Sequence, residues 1–125
     1  MIDHISLAVR DLKKAAPFYA ALLAPLGMTK LREWPNTAIG FGKKYPEFWI
    51  NRRNEMDRIA ADSGVHICLR APDNAAVDAF HSAALAAGGT SDGAPGLRKE
   101  YHDNYYAAFI RDPDGNRIEA VTFLR

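Results

Sequence analysis

Three side chains in this sequence could hold a metal ion together: His4, His66 and Glu119. Two imidazoles and one carboxylate presented from rigid strands make a facial set of donors, which leaves positions on a divalent ion open for water, substrate or oxygen. Each alone has an ordinary explanation. An isolated histidine on an inner strand face is more often a hydrogen-bonded core residue, and a strand glutamate is more often solvated. Position sets these three apart, because the histidines stand at matching places of a repeat and the glutamate sits among apolar neighbours, where a carboxylate needs a partner.

The element that fixes Glu119 runs from Tyr105 to Val121. Two runs of aromatic and aliphatic residues flank Asp112-Pro113-Asp114-Gly115, in which proline presets φ for a type I turn and glycine takes the left-handed position. The segment reads as a β-hairpin. On its return strand Ile118, Ala120 and Thr122 share one face, and Arg117, Glu119, Val121 and Phe123 share the other. Tyr105 shares a face with Ala107 and Phe109, with its hydroxyl available as a donor or acid beside a metal, while Tyr106 points the other way.

The histidines are placed by two copies of one pattern. Ile5, Leu7 and Val9 alternate with His4, Ser6 and Ala8; Asp11 stands at an N-cap; Leu12, Ala15, Phe18, Tyr19, Leu22 and Leu23 follow with helical spacing until Pro25 and Gly27. Pro17 suggests a distorted or late start to that helix. Strand-like runs cover 29–34, 37–41 and 46–51. The pattern then restarts with Val65, Ile67 and Leu69 alternating with His66, Cys68 and Arg70. Asp73 is its cap, and Val77, Phe80, Ala84 and Leu85 its helical stripe, ending at Gly88-Gly89.

Sliding the chain by 62 positions matches identical residues at nine of twenty-four places between 4 and 27, His4 with His66 and Asp11 with Asp73 among them. Composition alone would give about two. The chain therefore reads as two βαβββ modules, 1–53 and 64–125, joined by a polar linker at 54–63 with at most a short helical turn. The fold class is α+β. The modules should pair into a curved mixed sheet with helices outside and the histidine faces lining the concavity.

Bulk properties narrow the function classes. The chain has 125 residues, enough for one domain with a real core. A net charge of +1 offers no field for nucleic acid, and the pairs Lys43-Lys44 and Arg52-Arg53 are too short to supply one. Cys68 stands alone, so no disulfide forms within the chain and a reducing compartment is the default. No leader or membrane-spanning run is visible, and the expected location is the cytoplasm. His81 and His102 read as surface residues.

The stretches Asp3 to Asp11, Val65-His66-Ile67 and Asp112 to Glu119 resemble the vicinal oxygen chelate superfamily, which groups glyoxalase I, extradiol dioxygenases, fosfomycin-resistance proteins and bleomycin-resistance proteins. The resemblance covers essentially the whole chain. It implies that His4, His66 and Glu119 bind a divalent metal, that the protein is a homodimer, and that the metal site lies either within one chain or across two. It also implies a fourth position on the last strand of module one. Alternation puts that position at Trp49, which cannot ligate, so Trp49 becomes a wall of the substrate site and the glyoxalase I pattern is broken. Glu47 would serve only with the strand two residues out of step.

The leading expectation is a divalent-metal-dependent enzyme of dioxygenase or lyase type acting on a small oxygenated substrate. Iron(II) suits the triad best, and zinc, manganese and nickel also accept it. Arg70 is a candidate anchor for an anionic substrate, against an ordinary rim salt bridge, and Cys68 a candidate pocket-lining residue. The rival expectation is a non-catalytic small-molecule or drug-binding protein of the bleomycin-resistance type. Thiol transfer to an epoxide, as in fosfomycin resistance, should demand more cations around the pocket than Arg70 alone.

Overall fold

Asp11 and Asp73 each turn a strand into a helix in the computed structural model, which describes residues 1–123. The Asp11 carboxylate accepts the Lys14 N–H at 3.2 Å and the Asp73 carboxylate the Ala76 N–H at 2.8 Å, the same cap in both modules. Such caps stabilise a helix by about 1 kcal/mol each. The first module runs β1 (Ile5–Val9), α1 (Leu12–Leu23), a 3-10 turn (Ala24–Leu26), β2 (Thr29–Trp34), β3 (Ala38–Gly42) and β4 (Phe48–Arg52). The second runs β5 (Ile67–Arg70), α2 (Asn74–Ala86), β6 (Thr90–Leu97), β7 (Tyr105–Arg111) and β8 (Arg117–Phe123).

Each module closes its own four-stranded mixed sheet, ordered β1-β4-β3-β2 and β5-β8-β7-β6. The α+β, two-module architecture is the one read from the repeat, with the sheet surface divided into two hydrogen-bonded units. β1 pairs in parallel with β4 and β5 with β8, so each leaves one edge unpaired within its sheet. No helix among the described residues is long and apolar enough to cross a membrane.

Alternation decides which faces are covered. Leu7, Val9, Ile50, Ile110, Ile118 and Ala120 turn inward with Phe18, Tyr19 and Leu22 of α1 and Val77, Phe80 and Ala84 of α2, forming one buried cluster that spans both modules. Each large apolar side chain so buried contributes about 1.5–3 kcal/mol. The opposite sheet faces carry the alternate side chains, Trp49 in the first module and Glu119 in the second among them.

The Asp112–Gly115 turn is built as its residues require, with Gly115 N–H donating to Asp112 O at 2.9 Å and Gly115 at φ 95°. Its side chains also clamp the first module. Asp112, 2% exposed, accepts from Tyr19 OH at 2.5 Å and from Asn116 Nδ2 at 2.8 Å. Asn116 Nδ2 also donates to Ala8 O at 2.9 Å, and Arg10 Nε pairs with Asp114 Oδ1 at 2.8 Å. Burial pushes the Asp112 carboxyl above its ordinary value, against the donors that face it. The same burial, with Asp112 alongside, raises the Tyr19 phenol.

Several local expectations are corrected. α1 begins at Leu12 and runs through Pro17 without a late start, because Lys13, whose carbonyl the proline leaves unpaired, lies with Pro17 on the solvent face. The linker forms no helix. Instead it straps the hairpin turn, with Ile59 N–H donating to Asp114 O at 2.9 Å and Arg58 to Pro113 O at 2.6 Å. His81 is not a surface residue. It is 8% exposed, with Nε2 2.8 Å from Ser91 Oγ, and burial lowers its pKa. Leu85 is 42% exposed in its stead, so the buried stripe of α2 is Ala76, Val77, Phe80, His81 and Ala84.

Candidate functional site

Register places the chemistry on the open face of the second sheet. Cys68 stands opposite Glu119 and Arg70 opposite Val121 across β5 and β8, while Phe109 stands opposite Glu119 and Tyr105 opposite Phe123 across β7 and β8. Glu119 thus sits mid-sheet with neighbours on both sides, and its side chain is only 3% exposed. Such a carboxylate needs compensation. His66 Nε2 lies 3.0 Å from its Oε1, and Tyr105 donates its O–H to Oε2 at 2.5 Å. No lysine or arginine among the described residues pairs with it.

The surroundings act on two further groups. Burial, reinforced by the hydrogen bond to Glu119, raises the Tyr105 phenol well above its ordinary value, so at neutral pH it holds its proton as a donor to the carboxylate. Burial, then the Glu119 charge, pushes the Cys68 thiol up to about 12, which keeps it a thiol. Tyr106, on the other face of β7, donates to Asp78 of α2 at 2.7 Å.

Aromatic rings and arginines frame the pair. Tyr105 meets Phe123 edge-on at 5.4 Å between ring centroids, and Arg70 lies over the Phe123 ring at 4.9 Å. At the other end Phe109 lies 6.4 Å from the His66 ring, with Arg98 over it at 5.4 Å. Arg111 and Arg117 share Asp92, at 3.4 and 3.2 Å. The face therefore holds more cations than Arg70 alone.

His66 and Glu119 come together as expected. His4 does not join them within one chain, and among the described residues no three His, Cys, Asp or Glu side chains gather closely enough to hold a metal ion. Ladder pairing of the first strand starts at Ile5, whose N–H donates to Glu47 O at 3.0 Å, so His4 lies outside it. Its Nδ1 is 2.7 Å from Asp3 Oδ1 and its side chain is 56% exposed. Even so, His4, His66, Cys68 and Arg70 line one cleft of about 560 Å³ between the two modules' first strands.

Trp49 occupies the place in module one that Glu119 holds in module two, since Ser6 pairs with Trp49 as Cys68 pairs with Glu119. It does not wall that cleft within the chain. Its ring lies over Gly40, where an added Cβ would meet Cε2 at 2.9 Å, and stacks on Trp34 at 5.2 Å. Glu47 is also no partner of Glu119, although it lines the cleft.

The pair on the second sheet fits a divalent cation. An imidazole nitrogen and a carboxylate oxygen 3.0 Å apart have the spacing of two ligands at right angles on one ion with bonds of about 2.1 Å. The carboxylate is buried with no lysine or arginine beside it among the described residues, and the imidazole faces open space, its side chain 48% exposed.

Comparison with known proteins agrees with this architecture. A family model described as the Glyoxalase/Bleomycin resistance protein/Dioxygenase superfamily matches residues 1–120. A glyoxalase/bleomycin resistance protein from Albidiferax ferrireducens is similar at 31% identity over 94% of both chains, with a TM-score of 0.78. The fosfomycin resistance protein FosX of Mesorhizobium loti shares the fold at 17% identity, 97% of this chain and 90% of its own, TM-score 0.68. A bleomycin-binding protein solved with bleomycin does so at 23% identity over 95% of both chains, TM-score 0.63. No functionally curated protein matches the chain.

Proposed function

The chain belongs to the glyoxalase/bleomycin resistance protein/dioxygenase superfamily, and from that premise we propose that it is a divalent-metal-dependent enzyme of dioxygenase or lyase type acting on a small oxygenated substrate. One observation carries the reading: a carboxylate only 3% exposed, Glu119, whose partners are an imidazole and a phenol. A structural glutamate so placed would ordinarily have a guanidinium or ammonium opposite it.

His66 and Glu119 of one protomer and His4 of its partner would hold the ion in a homodimer. Three features support a shared site. His4 stands apart from the other two within a chain. β1 and β5 each have an unpaired edge. The open face of module one leaves Trp34 56% exposed, an apolar surface a second copy would cover. In that assembly Trp49 would become the wall opposite Glu119. A bound divalent ion supplies Lewis-acid stabilisation of charge developing on adjacent substrate oxygens, with iron(II) the favoured metal and zinc, manganese or nickel the others the donors suit.

The chain's own groups have separate tasks. Tyr105 fixes the Glu119 carboxylate through Oε2, leaving Oε1 for the ion, which is the donor role among the two expected of it from the sequence. Phe109 and Phe123 exclude water from the two ends of the site. Cys68, held as a thiol, lines the cleft beside His66. Arg70 stands at the rim for substrate.

A second reading, a non-catalytic binder, draws on the stacked Trp34 and Trp49 rings, which suit a flat drug. Elemental analysis of protein purified without chelator separates the two. The enzyme requires about one tightly held divalent ion per chain, lost in His66→Ala. A metal-free native protein that retains an apolar ligand would establish the binder.

A further inference from the structure

Among the described residues four arginines lie on the open face that carries Glu119, and three are committed to the protein. Arg98 donates to Gly96 O at 3.0 Å and to Ala94 O at 2.6 Å while covering Phe109. Arg111 donates to Ala61 O at 3.0 Å and Arg117 to Ser63 O at 2.7 Å, and both share Asp92. Arg70 differs. Among the described residues it has no hydrogen-bond acceptor and no carboxylate partner, and its one specific contact is the Phe123 ring, 4.9 Å beneath it.

That contact holds the guanidinium in place without using any of its five N–H donors. A planar donor fork held in this way matches the paired oxygens of a carboxylate, phosphonate or phosphate. Its distance from the chemistry follows from the ladder. Cys68 stands opposite Glu119, and the Arg70 backbone lies two residues further along the same strand face, roughly 7 Å away, with its guanidinium beyond that over Phe123. The Tyr105 ring bridges that interval, its hydroxyl on Glu119 and its edge against Phe123 beneath the guanidinium.

We propose that the substrate carries an oxyanion at the end remote from its reacting oxygens, bound by Arg70, with a flat apolar body over Tyr105 between the two. This inference rests on the metal-enzyme reading for the reacting end and on Arg70 alone for the remote end, so the two can be tested apart. Catechol and 3,4-dihydroxybenzoate are suitable probes, because both present two neighbouring oxygens and only the second adds a carboxylate across the ring. 3,4-Dihydroxyphenylphosphonate distinguishes a phosphonate preference from a carboxylate one.

Calorimetric titration of the metal-loaded dimer should show the dihydroxybenzoate or the phosphonate binding at least about tenfold tighter than catechol, the gain expected of a charge-assisted fork. In Arg70→Gln that ratio should fall to near one, with catechol affinity and metal content unchanged, and Arg70→Lys should recover only part of it. A ratio near one in the native protein, or one that survives in Arg70→Gln, overturns the proposal. Should the native protein hold no metal, benzoate against benzyl alcohol in the same variants poses the question for the remote end alone. Loss of the metal and loss of the oxyanion preference are then separate results.

Discussion

Replacing Asp112 with alanine should unfold this protein more readily than any single change on the open face of the second sheet. The carboxylate accepts four donors: the backbone N–H groups of Asp114 and Asn116 at 2.9 and 2.7 Å, Asn116 Nδ2 at 2.8 Å and Tyr19 OH at 2.5 Å. Asn116 Nδ2 keeps Ala8 O, so three buried donors lose their acceptor. At about 1–3 kcal/mol for each unsatisfied group, less the relief of no longer burying a charge, the loss is about 4–6 kcal/mol. For a chain of this length that lowers Tm by roughly 15–23 °C. Tyr19→Phe removes one donor and leaves none unpaired, so it should cost about 1–2 kcal/mol. Urea denaturation followed by the fluorescence of Trp34 and Trp49 compares the two directly. If Asp112→Ala proves no more damaging than Tyr19→Phe, the claim that this turn clamps the two modules is wrong.

Three other perturbations report on separate parts of the account. Tyr105→Phe should weaken metal affinity about 10–100-fold with the fold intact, because Glu119 Oε2 loses its donor, and competition with a chromogenic chelator measures the change. His81 has a lowered pKa, so between its unfolded value near 6.5 and its folded value the unfolded chain binds the extra proton. Stability should therefore fall as pH drops through that window, and denaturation curves of His81→Gln should show a shallower pH dependence than the native protein. In metal-free protein Cys68, pushed up to about 12, should react slowly with iodoacetamide at pH 8 and faster in Glu119→Gln, as mass spectrometry of the alkylated peptide would record. Equal rates would remove Glu119 from the causes of the shift.

What the sequence made legible was what depends on short range. The caps at Asp11 and Asp73, the turn at Asp112 to Gly115 and the alternation that turns Glu119 away from Ile118 and Ala120 are all set within a few residues, and all are in the structure. The meeting of His66 with Glu119 was also accessible, because the repeat fixes which strand each occupies. The place of His4 depends on where an edge ladder begins and on how two copies meet, which periodicity does not encode. The bond from Tyr19 to Asp112 crosses 93 positions and joins the modules, so no local pattern announces it. His81 was readable but missed: with Val77, Phe80 and Ala84 it completes a helical stripe, and its polarity concealed that it packs inward against Ser91. Trp49 fell at the expected register position, yet its ring is drawn down over Gly40, a glycine whose missing side chain is what makes room.

The central claim, a divalent ion held by two imidazoles and one acid drawn from two copies of the chain, is tested most directly by mixing defective copies. His4→Ala and His66→Ala homodimers should each be metal-free. A purified heterodimer of the two contains one site with both histidines intact, made from His4 of one copy and His66 with Glu119 of the other, and it should bind one ion per dimer. A heterodimer that binds none, beside a native protein that binds two, would place all three ligands in a single chain, and a native protein without metal would contradict the account altogether.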